Sequence, residues 1–223
     1  MKIPLLVLCA LLVGSANLPA ENTEAILTRM NDIAATFKAM SSHVSMTTYT
    51  KVIDDTTVEA GTLEMQRQPG KPTRALLKLS GQGDSHVVFL FDNKVQLYTP
   101  KAKLLKTYNV SKSSSLVDQF LLLGFGSSGK ELMQSYDISN AGTEKISDQE
   151  TTHLVLVPKA KEVKEKLAKV EVWIPVGKAY PVQQKFIEPN GNYRISTYSE
   201  LAINPPMRGT LEFKAPPGTK KEQ

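Results

Sequence analysis

The segment GTLEMQRQPGKPTRALLKL, from Gly61 to Leu79, decides the fold because it reads as two strands joined by a turn that contains proline and glycine. Side chains alternate between the two faces of a strand, so Leu63, Met65 and Arg67 share one face of the first strand. An arginine therefore ends an apolar face. A guanidinium there must bind acceptors or reach water, because an unpaired buried charge is costly. Two interpretations stay open: Arg67 extends into solvent, or it helps to close a cavity that the apolar face lines.

Further strand patterns lie on both sides of this segment, and turns separate them at short intervals. Before the middle of the chain, strands are predicted at residues 43–52, 87–91, 95–99 and 104–110. After it, strands are predicted at residues 136–141, 153–157, 169–174, 182–187, 193–201 and 210–213. Strands that follow one another in this way favour a single antiparallel sheet or barrel, within an α+β domain that is mainly β.

The N-terminal part of this region has the pattern of an amphipathic helix. Residues 22–40 place apolar side chains at helical spacing, among them Ile26, Met30, Phe37 and Met40. The resulting apolar stripe fits two arrangements. The helix packs onto the sheet, or it covers a cavity as a lid.

The middle of the chain predicts two short apolar helices that interrupt the strands. The first covers residues 114–123, and Gly124 ends it; the second follows Ser128, with Glu131 at capping-box spacing. Residues 124–130 fit the G-x-x-x-x-G-K pattern of a phosphate loop, but Glu131 stands where the magnesium-binding Ser or Thr belongs. We therefore interpret this stretch as a glycine-rich link. Both helices must bury apolar surface, either as a core plug or as a cover over an open barrel mouth.

The first 20 residues have the composition of a secretory signal peptide. Lys2 precedes an apolar run, and Ala16 or Ala20 is a candidate cleavage position. The run is too short to read as a membrane-spanning helix. Cys9, the one cysteine, lies inside this segment, so we expect neither a disulfide nor a lipid anchor. The mature chain is expected to be exported and soluble.

The charge of the chain is mildly basic, with 27 Lys and Arg against 22 Asp and Glu and a net charge of +5. This balance suits an acidic partner or an anionic membrane surface. It is too small and too scattered to predict nucleic-acid binding. The lysine-rich residues 159–169 are interpreted as a solvated loop with one or two helical turns.

The patterns of catalytic and metal sites are missing from the sequence. The histidines His43, His86 and His153 have no metal-ligand spacing to one another or to clustered acids. Ser127 and Ser128 both miss the nucleophile-elbow pattern, and no acid/base pair can be nominated. We therefore predict that the protein is not an enzyme and needs no metal or cofactor.

The order of the elements and three short motifs resemble the LolA family of periplasmic carriers of outer-membrane lipoproteins. The motifs are GTLEMQR at residues 61–67, FDNK at 91–94 followed by YTP at 98–100, and LEFKAPPG at 211–218. The resemblance covers most of the chain after residue 20. It implies an unclosed β-barrel, or half-barrel, whose N-terminal helix and two short helices form a lid over an apolar cavity.

The resemblance also implies a role for Arg67 as a latch, meaning a side chain that holds the lid closed. In the family an arginine at this position bonds to the backbone of the lid helices and keeps the cavity shut. The family usually has proline directly after this arginine, whereas Gln68 stands between Arg67 and Pro69 here. Two interpretations stay open for Met30, Met46 and Met65: they let the cavity walls adapt to a ligand, or they pack in an ordinary core.

The function that the resemblance implies is transport without chemistry. A monomeric periplasmic chaperone would take lipoprotein acyl chains, or another lipid, from an inner-membrane releasing complex to an outer-membrane acceptor. We expect a signal peptide at residues 1–20, a half-barrel domain at 21–218 and a flexible tail at 219–223. The side chains predicted to line the ligand cavity are Leu63, Met65, Leu77, Phe89, Phe120, Leu121, Met30 and Phe37.

Two other functions remain open from the sequence. The same half-barrel would serve a lipid- or lipoprotein-sensing regulator of the cell envelope, a class whose members often carry an extra domain. A secreted hydrolase is a third hypothesis, and the missing nucleophile pattern counts against it.

Overall fold

The structure is a computed structural model that describes residues 21–81, 84–110, 123–207 and 209–222. Within these residues, twelve strands form one sheet. The strands are β1 (Ala39–Thr50), β2 (Asp55–Gln66), β3 (Arg74–Gly81), β4 (Asp84–Phe91), β5 (Lys94–Thr99), β6 (Leu104–Asn109), β7 (Tyr136–Ile146), β8 (Gln149–Pro158), β9 (Lys169–Pro175), β10 (Gln183–Ile187), β11 (Tyr193–Ile203) and β12 (Lys220–Glu222). The helices are α1 (Thr23–Thr36), α2 (Gly129–Ser135) and α3 (Lys161–Lys164), with a 3₁₀ turn at Lys51–Ile53.

The sheet is an open half-barrel, as predicted. Its strand order is β12-β6-β5-β4-β3-β2-β1-β11-β10-β9-β8-β7, so the two edge strands do not pair with each other. Neighbouring strands are antiparallel except at one edge, where β12 pairs with β6 in parallel. No helix among the described residues has the length and apolar character that crossing a membrane requires.

Helix α1 begins where the sequence predicts and ends earlier. The Asn22 side chain accepts a hydrogen bond from the backbone N–H of Glu24 at 2.9 Å, which caps the first turn. The predicted continuation to residue 40 is wrong, because Phe37 has extended backbone angles and Met40 already pairs with β2. The Asn204 side chain accepts hydrogen bonds from the two backbone N–H groups after Phe37 and so fixes the turn from helix to strand.

Helix α2 has the predicted capping box. The Ser128 hydroxyl accepts from the Glu131 N–H at 3.2 Å, and the Glu131 carboxylate accepts from the Ser128 N–H at 2.7 Å. The helix predicted at residues 114–123 falls almost wholly on residues 111–122, outside the described part of the chain. Leu123 itself lies in a turn.

The C-terminal segment differs from its prediction. Residues 210–213 form no strand and instead cover the convex face of the sheet, where Leu211 packs with Leu76 and Phe89. The Gln66 side chain fixes this segment by accepting from the Leu211 N–H at 2.8 Å and donating to the Gly209 carbonyl at 2.9 Å. Residues 220–222, expected in a loose tail, form β12.

The concave face carries two apolar clusters, and the helices pack mainly against the first of them. The first cluster buries α1, α2 and the α3 region against β7, β8 and β9; its members include Ile26, Leu27, Met30, Leu123, Leu132, Leu154, Leu156, Val163, Leu167 and Val172. The second lies on β1 to β4 and β11 and includes Phe37, Met40, Val44, Leu63, Met65, Ala75, Leu90, Phe125 and Tyr198. The helices thus fill one half of the barrel and leave room over the other.

Candidate ligand-binding cavity and its closure

A cavity of about 450 Å³ lies on the concave face, on the half of the barrel that the helices do not fill. This volume is in the range of small-ligand sites. Most of its wall is apolar, because the inward-facing side chains of β1 to β4 are aliphatic. The apolar and aromatic lining residues are Val44, Met46, Leu63, Ala75, Leu77, Val88, Leu90, Phe125, Leu167, Phe186 and Tyr198.

The strand register explains why these side chains meet. Leu63 on β2 pairs with Leu77 on β3, and Leu77 pairs with Val88 on β4. Paired residues point to the same side of a sheet, so one row of aliphatic side chains crosses three strands. On β1 the same face carries Val44 and Met46, which are two residues apart and pair with Gly61 and Glu59 of β2. The cavity wall is therefore built from the same strand pair that decides the fold.

Arg67 joins the end of β2 to the last turn of α1 and to the segment before α2. Its Nη2 atom donates to the carbonyl of Ala34 in the last turn of α1 and to the carbonyl of Gly126 before α2, both at 3.1 Å. The guanidinium stands 5.2 Å from the centre of the Phe37 ring, within cation–π range. The backbone N–H of Arg67 donates to the Lys38 carbonyl at 2.8 Å. These contacts satisfy carbonyls that a helix end and a turn leave free.

Gly126 takes a backbone conformation that suits glycine. Its φ angle is +142°, and a Cβ atom would lie 2.9 Å from the Phe37 ring and 3.2 Å from Arg67 Nη2. The contact with the Phe37 ring is too close for an ordinary Cβ, and the contact with Arg67 would be tight. Glycine therefore lets the link approach Arg67 and present its carbonyl to the guanidinium.

A second polar contact holds residues 123–126, the segment before α2 that is called the link from here on, at its other end. The buried Gln184 side chain donates to the Leu123 carbonyl and accepts from the Tyr198 hydroxyl, the latter at 2.7 Å. Burial raises the pKa of Tyr198 well above its ordinary value near 10, so the hydroxyl stays protonated as a donor. The Phe125 ring packs edge-on against Tyr198, with centroids 4.8 Å apart. The link is thus fixed at Leu123 by Gln184 and at Gly126 by Arg67.

One end of the cavity is polar and exposed. Its lining residues there include Lys166, which follows α3, Glu188 after β10, and Arg194 on β11. Phe186 pairs with Arg194 across β10 and β11, so the charged end borders directly on the aromatic wall. Since these three side chains are exposed and the facing residues of β2 and β3 are largely buried, this end is the mouth of the cavity.

Potential metal ligands are not clustered in the described part of the chain. Among residues 21–81, 84–110, 123–207 and 209–222, no group of three His, Cys, Asp or Glu side chains could hold a metal ion. His153 stacks on Trp173 with ring centroids 4.5 Å apart, on the face of the sheet opposite to the cavity.

Comparisons with known proteins give structural matches only. No family model and no curated protein matches the chain. An uncharacterized conserved protein from Thermus thermophilus is similar, with a TM-score of 0.53, 12% identity, and coverage of 90% of this chain and 98% of that one. At this identity the likeness shows a shared fold.

Two further solved structures match at lower TM-scores. A putative outer membrane lipoprotein-sorting protein domain from Vibrio parahaemolyticus has a TM-score of 0.42 and 14% identity, covering 84% of this chain and 95% of that one. The Mycobacterium tuberculosis lipoprotein LppX has a TM-score of 0.47 and 18% identity, covering 84% of this chain and 99% of that one.

An open antiparallel half-barrel with helices on its concave face is the architecture that the sequence resemblance implies. The described fold agrees with that resemblance. In this half-barrel, the residues predicted to line the cavity are distributed over three places. Leu63 and Leu77 line the cavity, whereas Met65 and Phe37 are buried in the adjoining second cluster. Met30 belongs to the first cluster, under the helices.

Phe89 does not line the cavity as predicted, because its side chain lies on the opposite face of the sheet. It pairs with Leu76, and both side chains pack under the C-terminal segment on the convex face. Residues 87–91 are apolar at every position, so alternation alone does not tell which residues face inward. Phe120 and Leu121 lie outside the described residues.

The polar part of the cavity lining was not predicted from the sequence. Gln184 and Ser196 on β10 and β11 face the cavity, as do Arg194 and Tyr198. The available signal is that Arg194, Ser196 and Tyr198 alternate along one strand and so share one face. A polar residue between an arginine and a tyrosine on an inward face indicates a site with directed hydrogen bonds rather than a purely apolar core.

Proposed function

We propose that this protein is a periplasmic lipid carrier that binds an acyl chain of a lipoprotein or lipid in the half-barrel and takes it toward the outer membrane without chemistry. The observation that carries the proposal is the 450 Å³ apolar cavity on the concave face. At about 30 Å³ for each water-sized group, this space holds roughly fifteen such groups, the scale of one acyl chain.

The closure of the cavity has the energetics that a carrier needs. Burying an acyl chain contributes about 0.8 kcal/mol for each CH₂ group. Hydrogen bonds to a charged group such as Arg67 contribute about 1.5–3 kcal/mol each. Several buried CH₂ groups therefore offset the contacts that hold the link, so a bound chain favours a state in which these contacts are broken, and the empty protein favours the state in which they are formed.

The cellular partners belong to the same proposal. An inner-membrane complex would release the cargo to the carrier, an outer-membrane acceptor would receive it, and the carrier itself would act as a monomer. Stoichiometric transfer of bound lipoprotein to acceptor vesicles distinguishes this function from ester hydrolysis, which would consume substrate over many turnovers.

The first test is native mass spectrometry of the protein purified from periplasm without detergent. We expect a bound lipid mass that organic extraction removes. Leu77→Trp should reduce binding of an acyl probe at least ten-fold, because the indole fills the cavity where Leu77 lines it. Lys78→Trp is the matched control, since Lys78 is the exposed neighbour on the other face of β3.

Two results would reject a carrier of acyl chains. One is an apo mass that persists when acylated peptides and lipids are added. The other is equal probe binding by the Leu77→Trp and Lys78→Trp variants, which would place the probe outside the cavity.

A further inference from the structure

The mouth of the cavity carries two cations whose side chains have no polar partner among the described residues. Arg194 and Lys166 are both exposed and both line the cavity. Neither side chain forms a hydrogen bond or an ion pair with residues 21–81, 84–110, 123–207 or 209–222. Arg194 projects from the concave face of β11, two residues from Ser196 and beside Phe186, so its position is set by the strand register.

Among the described residues that line the mouth, Glu188 is the one carboxylate, and it already accepts two hydrogen bonds. Glu188 Oε2 accepts from the side-chain amides of Asn190 at 3.1 Å and Asn192 at 3.3 Å. The three charged lining residues sum to one net positive charge. An anionic group that arrives at this mouth therefore meets two available cations and a carboxylate held by its own loop.

We infer that the cavity takes a single-chain amphiphile with an anionic headgroup, whose chain lies against β1 to β4 and whose headgroup pairs with Lys166 and Arg194. This inference rests on the proposed binding of acyl chains and adds the class of headgroup. The apolar wall and the charged mouth share one cavity, so one molecule contacts both. A guanidinium donates in a planar fork that matches a carboxylate or a phosphate, whereas an alcohol offers no charge to pair.

The experiment measures displacement of an uncharged fluorescent acyl probe by three amphiphiles with the same chain. Palmitate, palmityl alcohol and palmitylamine share the chain and carry an anionic carboxylate, a neutral hydroxyl and a cationic ammonium group. We expect palmitate to bind about five-fold more tightly than the alcohol, and the amine less tightly than the alcohol, because exposed ion pairs contribute modestly. Added salt should reduce the preference, since it screens exposed charges.

Two variants test whether the preference for palmitate over the alcohol arises from the charged residues at the mouth. The double variant Lys166→Gln with Arg194→Gln should lose the preference and bind palmitate and the alcohol equally. Lys164→Gln is the matched control, because this lysine is exposed on α3 and does not line the cavity. It should keep the full preference for palmitate.

The outcomes separate this inference from the proposed function. Equal binding of palmitate and the alcohol by the wild type overturns the headgroup inference and leaves an acyl-chain carrier standing. A preference that survives in the double variant also overturns it. Failure of all three amphiphiles to displace the probe, or of the probe to bind, rejects the proposed function and the inference with it.

Discussion

At the scale of the residue, Arg67 is the point where strand β2, helix α1 and the link before α2 meet. One nitrogen donates to two carbonyls from segments that are far apart in the sequence. The Phe37 ring lies beneath the guanidinium and limits its exposure. In the proposed open state, in which the link leaves the sheet, these contacts would be broken, so they would stabilise the closed state only.

Arg67→Leu is predicted to bind an acyl probe more tightly and to release it less readily. The substitution removes hydrogen bonds of the closed state, about 1.5–3 kcal/mol each, and leaves contacts between the acyl chain and the cavity unchanged. Each 1.4 kcal/mol corresponds to a ten-fold change in affinity. Probe titration and stopped-flow release into acceptor vesicles measure the two effects.

Arg74→Leu is the control for this prediction. Arg74 also bonds to a backbone carbonyl and to Asp92, but it does so on the far side from the cavity. Its replacement should lower stability without changing probe release. If Arg67→Leu loads and releases the probe as the wild type does, Arg67 is not a latch.

At the scale of the element, the link of residues 123–126 places one side chain in each of the two apolar clusters. Leu123 is buried in the first cluster and Phe125 in the second, with exposed fractions of 1% and 2%. Gln184 holds the Leu123 carbonyl between them. Movement of the link would therefore withdraw apolar side chains from both halves of the barrel at once.

Tyr198→Phe is predicted to lower the free energy of unfolding by about 1–3 kcal/mol. The variant keeps the ring against Phe125 and removes the donor to the buried Gln184 oxygen, which is then left unsatisfied. Urea unfolding at neutral pH measures the loss. Tyr193→Phe is the control, because this ring stacks on Tyr49 in a more exposed position; equal losses in both variants would contradict the prediction.

The same variant tests the raised pKa of Tyr198. The folded protein keeps the hydroxyl protonated above pH 10, whereas the unfolded chain loses the proton near pH 10. The stabilisation is therefore fully present below pH 10 and decreases as the pH rises from there. Wild-type stability should fall more steeply than that of Tyr198→Phe above pH 10.

At the scale of the whole molecule, the sheet is buried on both faces over part of its area. The cavity side of β2 to β4 faces the second cluster, and the convex side is covered by the C-terminal segment through Leu211 and Phe213. Phe213 lies near the Phe89 and Tyr98 rings, with centroids 6.5 and 5.7 Å apart. The cavity wall therefore depends on a segment that never touches the cavity.

Two truncations are predicted to differ strongly in stability. A chain that ends at Gly218 loses only the short exposed strand β12 and should lose less than about 1 kcal/mol. A chain that ends at Pro206 also exposes Leu76 and Phe89, at about 1.5–3 kcal/mol for each buried side chain. Urea midpoints measure both; similar midpoints would show that the convex cluster contributes little.

The sequence by itself determined the elements and several of their contacts. The alternating pattern around residues 61–79 predicts antiparallel strands, and the spacing of Ser128 and Glu131 predicts the capping box of α2. Arg67 at the end of an apolar face predicts a charge that needs acceptors. These features depend on residues close together in the chain, where local geometry fixes the outcome.

Only the tertiary structure decided which face of each strand lines the cavity and which distant segments pack against the sheet. Phe89 lies in a run that is apolar on both faces, so the C-terminal segment, not the pattern, places it outside. Phe37 and Met40 fit a helical stripe, yet Asn204 and the pairing of Met40 with Met65 turn the chain into β1. Burial depends on segments distant in sequence, and a periodic pattern records which residues share a face but not what covers that face.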